Sequence, residues 1–406
     1  MGIDIFSYWY SIYRYGKVQL EKRLDFSLKR LYNQYGFKGI SPLQASRPIA
    51  DEFNLRLPTD AGFASAFAAI PAAAFAAAFT AASQSIYFKQ FLTEMLFMNY
   101  YPLKLYPAFK DYLWGGTRLH KFFPDCTADP AAEAWVLSCH KDGQSTVTNG
   151  PLSGKTLSEA IEALGADALG ENGKAFDFFP VLIKLIDAKK DLSVQVHPDD
   201  DYARKNENSY GKTEMWYVVD CEEGARLFYG FKDKISKEEF EQRIKENTLT
   251  DALRSVDVKK GDCFFIPSGT IHAIGSGMLI AEIQQNSNCT YRVYDYGRLG
   301  ADGKPRQLHI EKALDVTKTE PAQPVDFGGN GVLADCKYFK AKLYEGAADI
   351  DVDGKSFSAL LVTEGEGTLE CSGETMELKT GDCIFLPASI GKVSVKGQLT
   401  FIETKV

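Results

Sequence analysis

The stretch GDCFFIPSGTIHA (residues 261–273) is echoed near the end of the chain by GDCIFLPASIGKV (residues 381–393). Both open on Gly-Asp-Cys, run through apolar residues to a proline, and then turn. Gly before such a run and Pro after it bracket a short strand, because both residues punctuate local structure. The copies differ where the chemistry would differ: His272 in the first stands as Lys392 in the second. They begin 120 residues apart, too far for a solenoid unit and suited to a duplicated domain. A strand and turn are needed in both places, and the histidine in one.

The surrounding text supports a β framework. PVLIKLI (180–186), LSVQV (192–196), MWYVV (215–219), CFFI (263–266) and MLIAEI (278–283) read as strands, joined by short turns. FKAKL (339–343) and residues 358–362 continue the pattern, and TLECSGETMEL has hairpin form around Ser372 and Gly373. Close spacing favours an antiparallel sandwich or barrel. Two capping-box signatures interrupt it: Thr156 with Glu159, and Ser236 with Glu239. Helices are therefore expected within the β framework.

Composition bounds the partners. The chain has 406 residues and a net charge of -8, which argues against a general nucleic-acid binder. A small anionic substrate needs only a local group of cations. The eight cysteines include no C-x-x-C pair, so reduced thiols and a cytoplasmic location are expected, not a disulfide framework or a zinc knuckle. Residues 1–97 differ from the rest. Residues 61–82 read AGFASAFAAIPAAAFAAAFTAA, uncharged, weakly apolar and broken by Pro71. The expectation is a low-complexity extension, or a misplaced start with Met98 as the true one, and no membrane anchor.

The frame G-x5-P-x-G-x2-H resembles the second motif of the cupin fold, filled by Gly261, Pro267, Gly269 and His272. The later copy keeps Gly381 and Pro387 but has Ser389 and Lys392 at the last two places. The resemblance implies a mainly β chain of two cupin-type (jelly-roll) barrels with a small inserted helical segment. The expected division is an N-terminal extension (1–97), a metal-binding catalytic domain (98–325) with helices near 232–256, and a degenerate cupin domain (326–406).

One histidine makes no metal site, and the chain has only five: His120, His140, His197, His272 and His309. In LSVQVHP (192–198), Ser193, Gln195 and His197 alternate with Leu192, Val194 and Val196, so one strand face is polar. Polar groups facing a core need partners or a ligand. Glu214 opens another apolar strand. Gln195, His197, Glu214 and His272 together offer two nitrogens and two oxygens, a set that suits zinc and is also compatible with manganese or iron. The other three histidines read as structural or exposed. The acidic run of Asp199, Asp200 and Asp201 reads as a solvated loop.

At these residues the chain resembles type I mannose-6-phosphate isomerase in its short bacterial form. The strings DYLWGGTRL, LSVQVHPDDDYA, YGKTEMWYV, IPSGTIHAI, NCTYRVYDYGR and LHIEKAL carry the resemblance, from about Tyr100 to the end. It implies isomerisation of mannose 6-phosphate and fructose 6-phosphate through an enediol, with one zinc per chain. Arg292 matches the family's active-site arginine. Lys212, two residues before Glu214, would bring an ammonium beside the metal, for proton transfer or as fixed charge. Ser193, Lys212 and Arg292 are expected to touch the substrate, with Lys304 and Arg306 as weaker phosphate contacts. An ion pair of Arg292 with Asp295 is the plainer alternative. The general base is not assigned, and oligomeric state is open. Competing readings are another cupin sugar-phosphate isomerase and a non-catalytic two-cupin binding protein. Cupin oxygenases usually carry an H-x-H pair, which is absent here.

Overall fold

The opening stretch folds as two strands in two different sheets. Cys263–Ile266 pairs with Glu214–Cys221, while His272–Ile274 pairs with Arg226–Phe231 and Val194–Val196. The Pro267–Ile271 turn carries the chain from one sheet to the other. Gly269 makes the crossing possible: its φ is +84°, and an added Cβ would lie 2.8 Å from the Val316 carbonyl oxygen. In the echo, Ser389 takes the equivalent positive φ, +66°, a conformation that costs a residue with a side chain free energy.

The computed structural model describes residues 100–299 and 303–406. The run at 61–82 and the Met98 start lie outside the described residues. Among the described residues the fold is mainly β, and no helix is long and apolar enough to cross a membrane. All eight cysteines are free thiols.

A six-stranded sheet orders Cys263–Ile266, Glu214–Cys221, Met278–Gln285, Val181–Ala188, Glu133–Leu137 and Ala108–Lys110. A five-stranded sheet orders Leu253–Asp257, Arg226–Phe231, His272–Ile274, Val194–Val196 and Tyr291–Tyr294. Their inner faces pack together: Ile186, Trp216 and Ile280 from the first meet Leu227, Tyr229 and Ile274 from the second. The outer face of the five-stranded sheet is covered by the helices Lys237–Lys245 and Ile310–Val316. Val194 and Val196 share a buried cluster there with Phe240, Ile244 and Ala313. Period-two alternation then aims Gln195 the other way, between the sheets.

A nine-stranded sheet gathers the C-terminal strands, including Ser358–Cys371, Cys383–Leu386 and Gly391–Lys405. One of its members comes from far earlier in sequence: Leu103–Tyr106 pairs with Cys383–Leu386, and Lys104 Nζ lies 2.6 Å from the Asp382 carboxylate. Ser372 and Gly373, at φ of +50° and +85°, form the expected two-residue hairpin turn.

The two capping signatures differ. Thr156 and Glu159 form the complete reciprocal box at the start of Leu157–Leu164. Ser236 caps Lys237–Lys245 by accepting from Glu239 N, but the Glu239 carboxylate accepts from Arg243 Nε, 2.8 Å away. The second box is therefore half formed, because a guanidinium one turn on is the stronger donor. Thr156→Ala is expected to cost about 1 kcal/mol by urea unfolding, the usual scale for a lost N-cap.

Candidate metal centre and active site

Gln195 sits at the middle of three adjacent strands, directly opposite His272 on one side and Arg292 on the other. His197 follows at the strand end, and Glu214 enters from the facing sheet. Ligand atoms of His197, Glu214 and His272 all lie within 4.8 Å of one another, and all three residues are buried.

Hydrogen bonds fix both imidazoles. His197 Nδ1 lies 2.8 Å from the Cys289 carbonyl oxygen, and His272 Nδ1 lies 2.9 Å from that of Thr270. A carbonyl oxygen only accepts, so each Nδ1 carries the proton and each Nε2 keeps its lone pair. Those Nε2 atoms face Glu214, at 3.2 Å from Oε1 for His272 and 3.7 Å from Oε2 for His197. Burial, then Lys212, depresses both rings: His272 falls to about 3 and His197 falls well below its usual value, so both are neutral.

Two imidazole nitrogens and a carboxylate thus converge, with the Lys212 ammonium against the carboxylate and 3.1 Å from His197 Nε2. The fully buried Glu214 pairs through Oε2 with the Lys212 ammonium, and its Oε1 meets no donor. Burial pushes its carboxyl up, against the pull of Lys212. A buried carboxylate oxygen without a donor is costly, and a bound cation would remove that cost. Gln195 turns its amide nitrogen toward His272 Nε2 at 3.4 Å, and half a rotation of the amide would present its oxygen. The donors present therefore fit a divalent ion.

A buried run of alternating charge continues from this group. Lys212 Nζ contacts Glu214 and lies 3.1 Å from His197 Nε2 and 3.7 Å from Glu282 Oε1. Glu282 is 2.9 Å from Lys184 Nζ, which lies 3.7 Å from Glu133. Trp216 and Trp135 donate their indole N–H groups to Glu282 and Glu133. Burial alone would raise Glu282, but Lys184 and Lys212 outweigh it and hold the carboxyl at about 2. Glu133, Lys184 and Glu282 escaped the reading of the sequence. Their signal was a lone charge inside an apolar strand, as in VLIKLIDA and MLIAEIQQ.

Arg292 stands at the edge of the site. Its Nε donates to Ser193 Oγ at 3.2 Å, and Nη1 to the Gln307 carbonyl at 3.2 Å. His309 Nδ1 accepts from the Arg292 backbone N–H. Asp295 is engaged by Arg298 and Arg306. Lys304 is exposed. His140 rests edge-on against Trp135, beside Asp142.

The second copy of the frame has no such group. Lys392 is exposed, while Ile350, Val362, Leu386, Val393 and Phe401 fill the interior of this half.

Comparison with known proteins gives the chain's family. A model of the type I phosphomannose isomerase catalytic domain matches residues 103–225, and a model of the mannose-6-phosphate isomerase cupin domain matches 332–406. The probable mannose-6-phosphate isomerase GmuF of Bacillus subtilis is 40% identical over 313 residues, covering 74% of this chain and 98% of that one. The chain belongs to the type I phosphomannose isomerase family. Its class is thus mannose-6-phosphate isomerase, an aldose–ketose isomerase. The crystal structure of the mannose 6-phosphate isomerase from Bacillus subtilis superposes with a TM-score of 0.69 at 38% identity, over 75% of this chain and 99% of that one. A phosphomannose isomerase structure described as bound with zinc and yttrium shares the fold, with a TM-score of 0.59 at 18% identity, over 75% of this chain and 98% of that one.

Proposed function

We propose that this phosphomannose isomerase is zinc-dependent, binds one zinc per chain, and works through an enediol. The observation that carries the reading is the pair of neutral imidazoles converging on the buried Glu214 carboxylate, whose Oε1 meets no donor. His197, Glu214, His272 and a rotated Gln195 would hold the ion. Zinc bound there supplies a Lewis acid for the sugar oxygens and needs no redox change.

The remaining roles fall to the chain's own groups. Moving a proton between C2 and C1 of the sugar builds negative charge on oxygen. Arg292, half-buried and held by Ser193 and the Gln307 carbonyl, would set its guanidinium against that charge. Lys212 Nζ would hold a second positive charge beside the same oxygens, its position fixed between Glu214 and Glu282. Ser193, Lys212 and Arg292 would touch the substrate, with Arg306 and Lys304 on the phosphate side. The enclosing architecture we read as two cupin-type barrels, a catalytic domain to residue 325 and a degenerate one from 326, with the helices near 232–256 as an insert. The two family matches, to 103–225 and 332–406, support that reading. The partner is then a small phosphosugar, and the enzyme would act in the cytoplasm.

A coupled assay of fructose 6-phosphate formation tests the proposal. Protein stripped of metal should be inactive, and one equivalent of zinc should restore turnover. Full activity in stripped protein would remove the metal from the reading.

A further inference from the structure

Asp295 is 6% exposed, yet it is engaged by two arginines at once. Arg306 forks onto it, with Nε 2.6 Å from Oδ2 and Nη2 2.6 Å from Oδ1. Arg298 adds Nε at 3.2 Å from Oδ1, and its Nη2 meets the same oxygen. Such charge-assisted forks fix a guanidinium's plane as well as its place.

The backbone is bent to make this arrangement. Tyr296 and Gly297 both have positive φ, +55° and +65°, and Arg298 N donates to the Asp295 carbonyl at 3.0 Å. Gly accepts that conformation freely, whereas a tyrosine there is strained. The strain brings Arg298 back over its own turn, 5.3 Å from the centre of the Tyr296 ring. A bridge between Leu299 and Pro305 returns the chain so that Arg306 reaches the same carboxylate.

These guanidiniums lie beside a third. Arg292 is the residue that bonds Ser193 in the proposed sugar site. Burial, and then the closeness of Arg306, lowers its affinity for its proton, with Arg298 adding to the effect. Asp191, the other acid at this turn, spends its carboxylate on Ser276 N and offers Arg298 only its carbonyl. Arg292 holds the carbonyl of Gln307, the residue after Arg306, and the hydroxyl of Ser193, two residues from the Asp191 carbonyl that Arg298 holds. Two guanidiniums therefore share the Asp295 carboxylate, with a third close by. The residual charge of about two positive units matches a phosphate dianion.

We propose that Asp295 is a positioning residue that sets Arg298 and Arg306 beside Arg292 as a clamp for the dianionic phosphate of the substrate. The proposal rests on reading the Arg292–Ser193 pocket as the sugar-phosphate site. It adds Arg298, and it gives Asp295 a role beyond balancing charge. The clamp grips a part of the substrate that does not react. Its loss should therefore appear mainly in KM, as uniform binding does.

The test compares Arg298→Met, Arg306→Met and Asp295→Asn with wild type, using mannose 6-phosphate as substrate and inorganic phosphate as competitive inhibitor. Each arginine variant should raise KM and the phosphate Ki together by roughly tenfold or more, the scale of a lost charge-assisted pair, with the smaller part of the loss in kcat. Asp295→Asn separates positioning from simple charge. If the carboxylate only repelled phosphate, its removal would tighten phosphate binding. If it positions the arginines, both constants should rise. Tighter phosphate binding in Asp295→Asn overturns the positioning role. Wild-type KM and Ki in Arg306→Met overturn the clamp, and this variant stands even where Asp295→Asn does not fold. Arg292→Ala run in parallel separates the two readings. If it alone loses activity, the clamp falls and the pocket stands. If it too behaves as wild type, the pocket reading falls.

Discussion

His272→Ala is expected to lose bound zinc and turnover together, while Lys392→Ala keeps both. His272 is fully buried, its Nδ1 is tied to the Thr270 carbonyl, and its Nε2 lone pair faces Glu214. Alanine removes one of the two nitrogen donors and leaves the Glu214 carboxylate with less compensation. The remaining oxygens and single imidazole make a poor zinc site. Turnover should fall by more than about a hundredfold, the scale lost with a single preorganised electrostatic group. Lys392 occupies the matching place in the echo, yet it is exposed, beside a half whose interior is filled by apolar side chains. No histidine follows His309 in the chain, so no second imidazole set is available there. Metal analysis should give one zinc per chain. Two tightly held ions, or full occupancy in the His272 variant, would overturn the assignment.

Arg292→Ala should lower kcat by roughly a hundredfold with zinc content unchanged, because charge stabilisation in the transition state is lost while the metal donors remain. None of the Arg292 side-chain bonds reaches a proposed ligand; they go to Ser193 and to the Gln307 carbonyl. Gln195 is the ligand directly opposite on the neighbouring strand, so zinc content is the control that separates chemistry from a shifted strand. Arg292→Lys should recover only part of the loss, since an ammonium cannot reproduce two fixed N–H directions. A wild-type rate in Arg292→Ala would take this residue out of the mechanism.

The proposed ligands were legible because each lies in a local pattern. Ser193, Gln195 and His197 alternate with Leu192, Val194 and Val196, and the packing of Val194 and Val196 under Phe240 turns Gln195 inward. The hairpin at Ser372 and Gly373 was equally local. What stayed hidden depends on distant partners. Lys184 in VLIKLIDA shows that something must face it, but not that Glu133 and Glu282 come from two different strands to do so. The strain at Tyr296 is invisible for the same reason, since only the assembled arginines around Asp295 explain it. The half-formed cap at Ser236 shows a local rule losing to a neighbour, Arg243.

The pairing of Leu103–Tyr106 with Cys383–Leu386 constrains how the chain can be made. A ribosome releases the earlier strand first, and its partner is made only after all the intervening chain. Until then this strand lacks its neighbour in the C-terminal sheet, and an open strand edge invites pairing with other chains. Closure across so long a separation is also slow compared with local hairpins. Native assembly of that sheet therefore waits on the later strand. A fragment ending before residue 383 would carry an incomplete edge, and supplying the missing C-terminal piece in trans is the natural way to restore it.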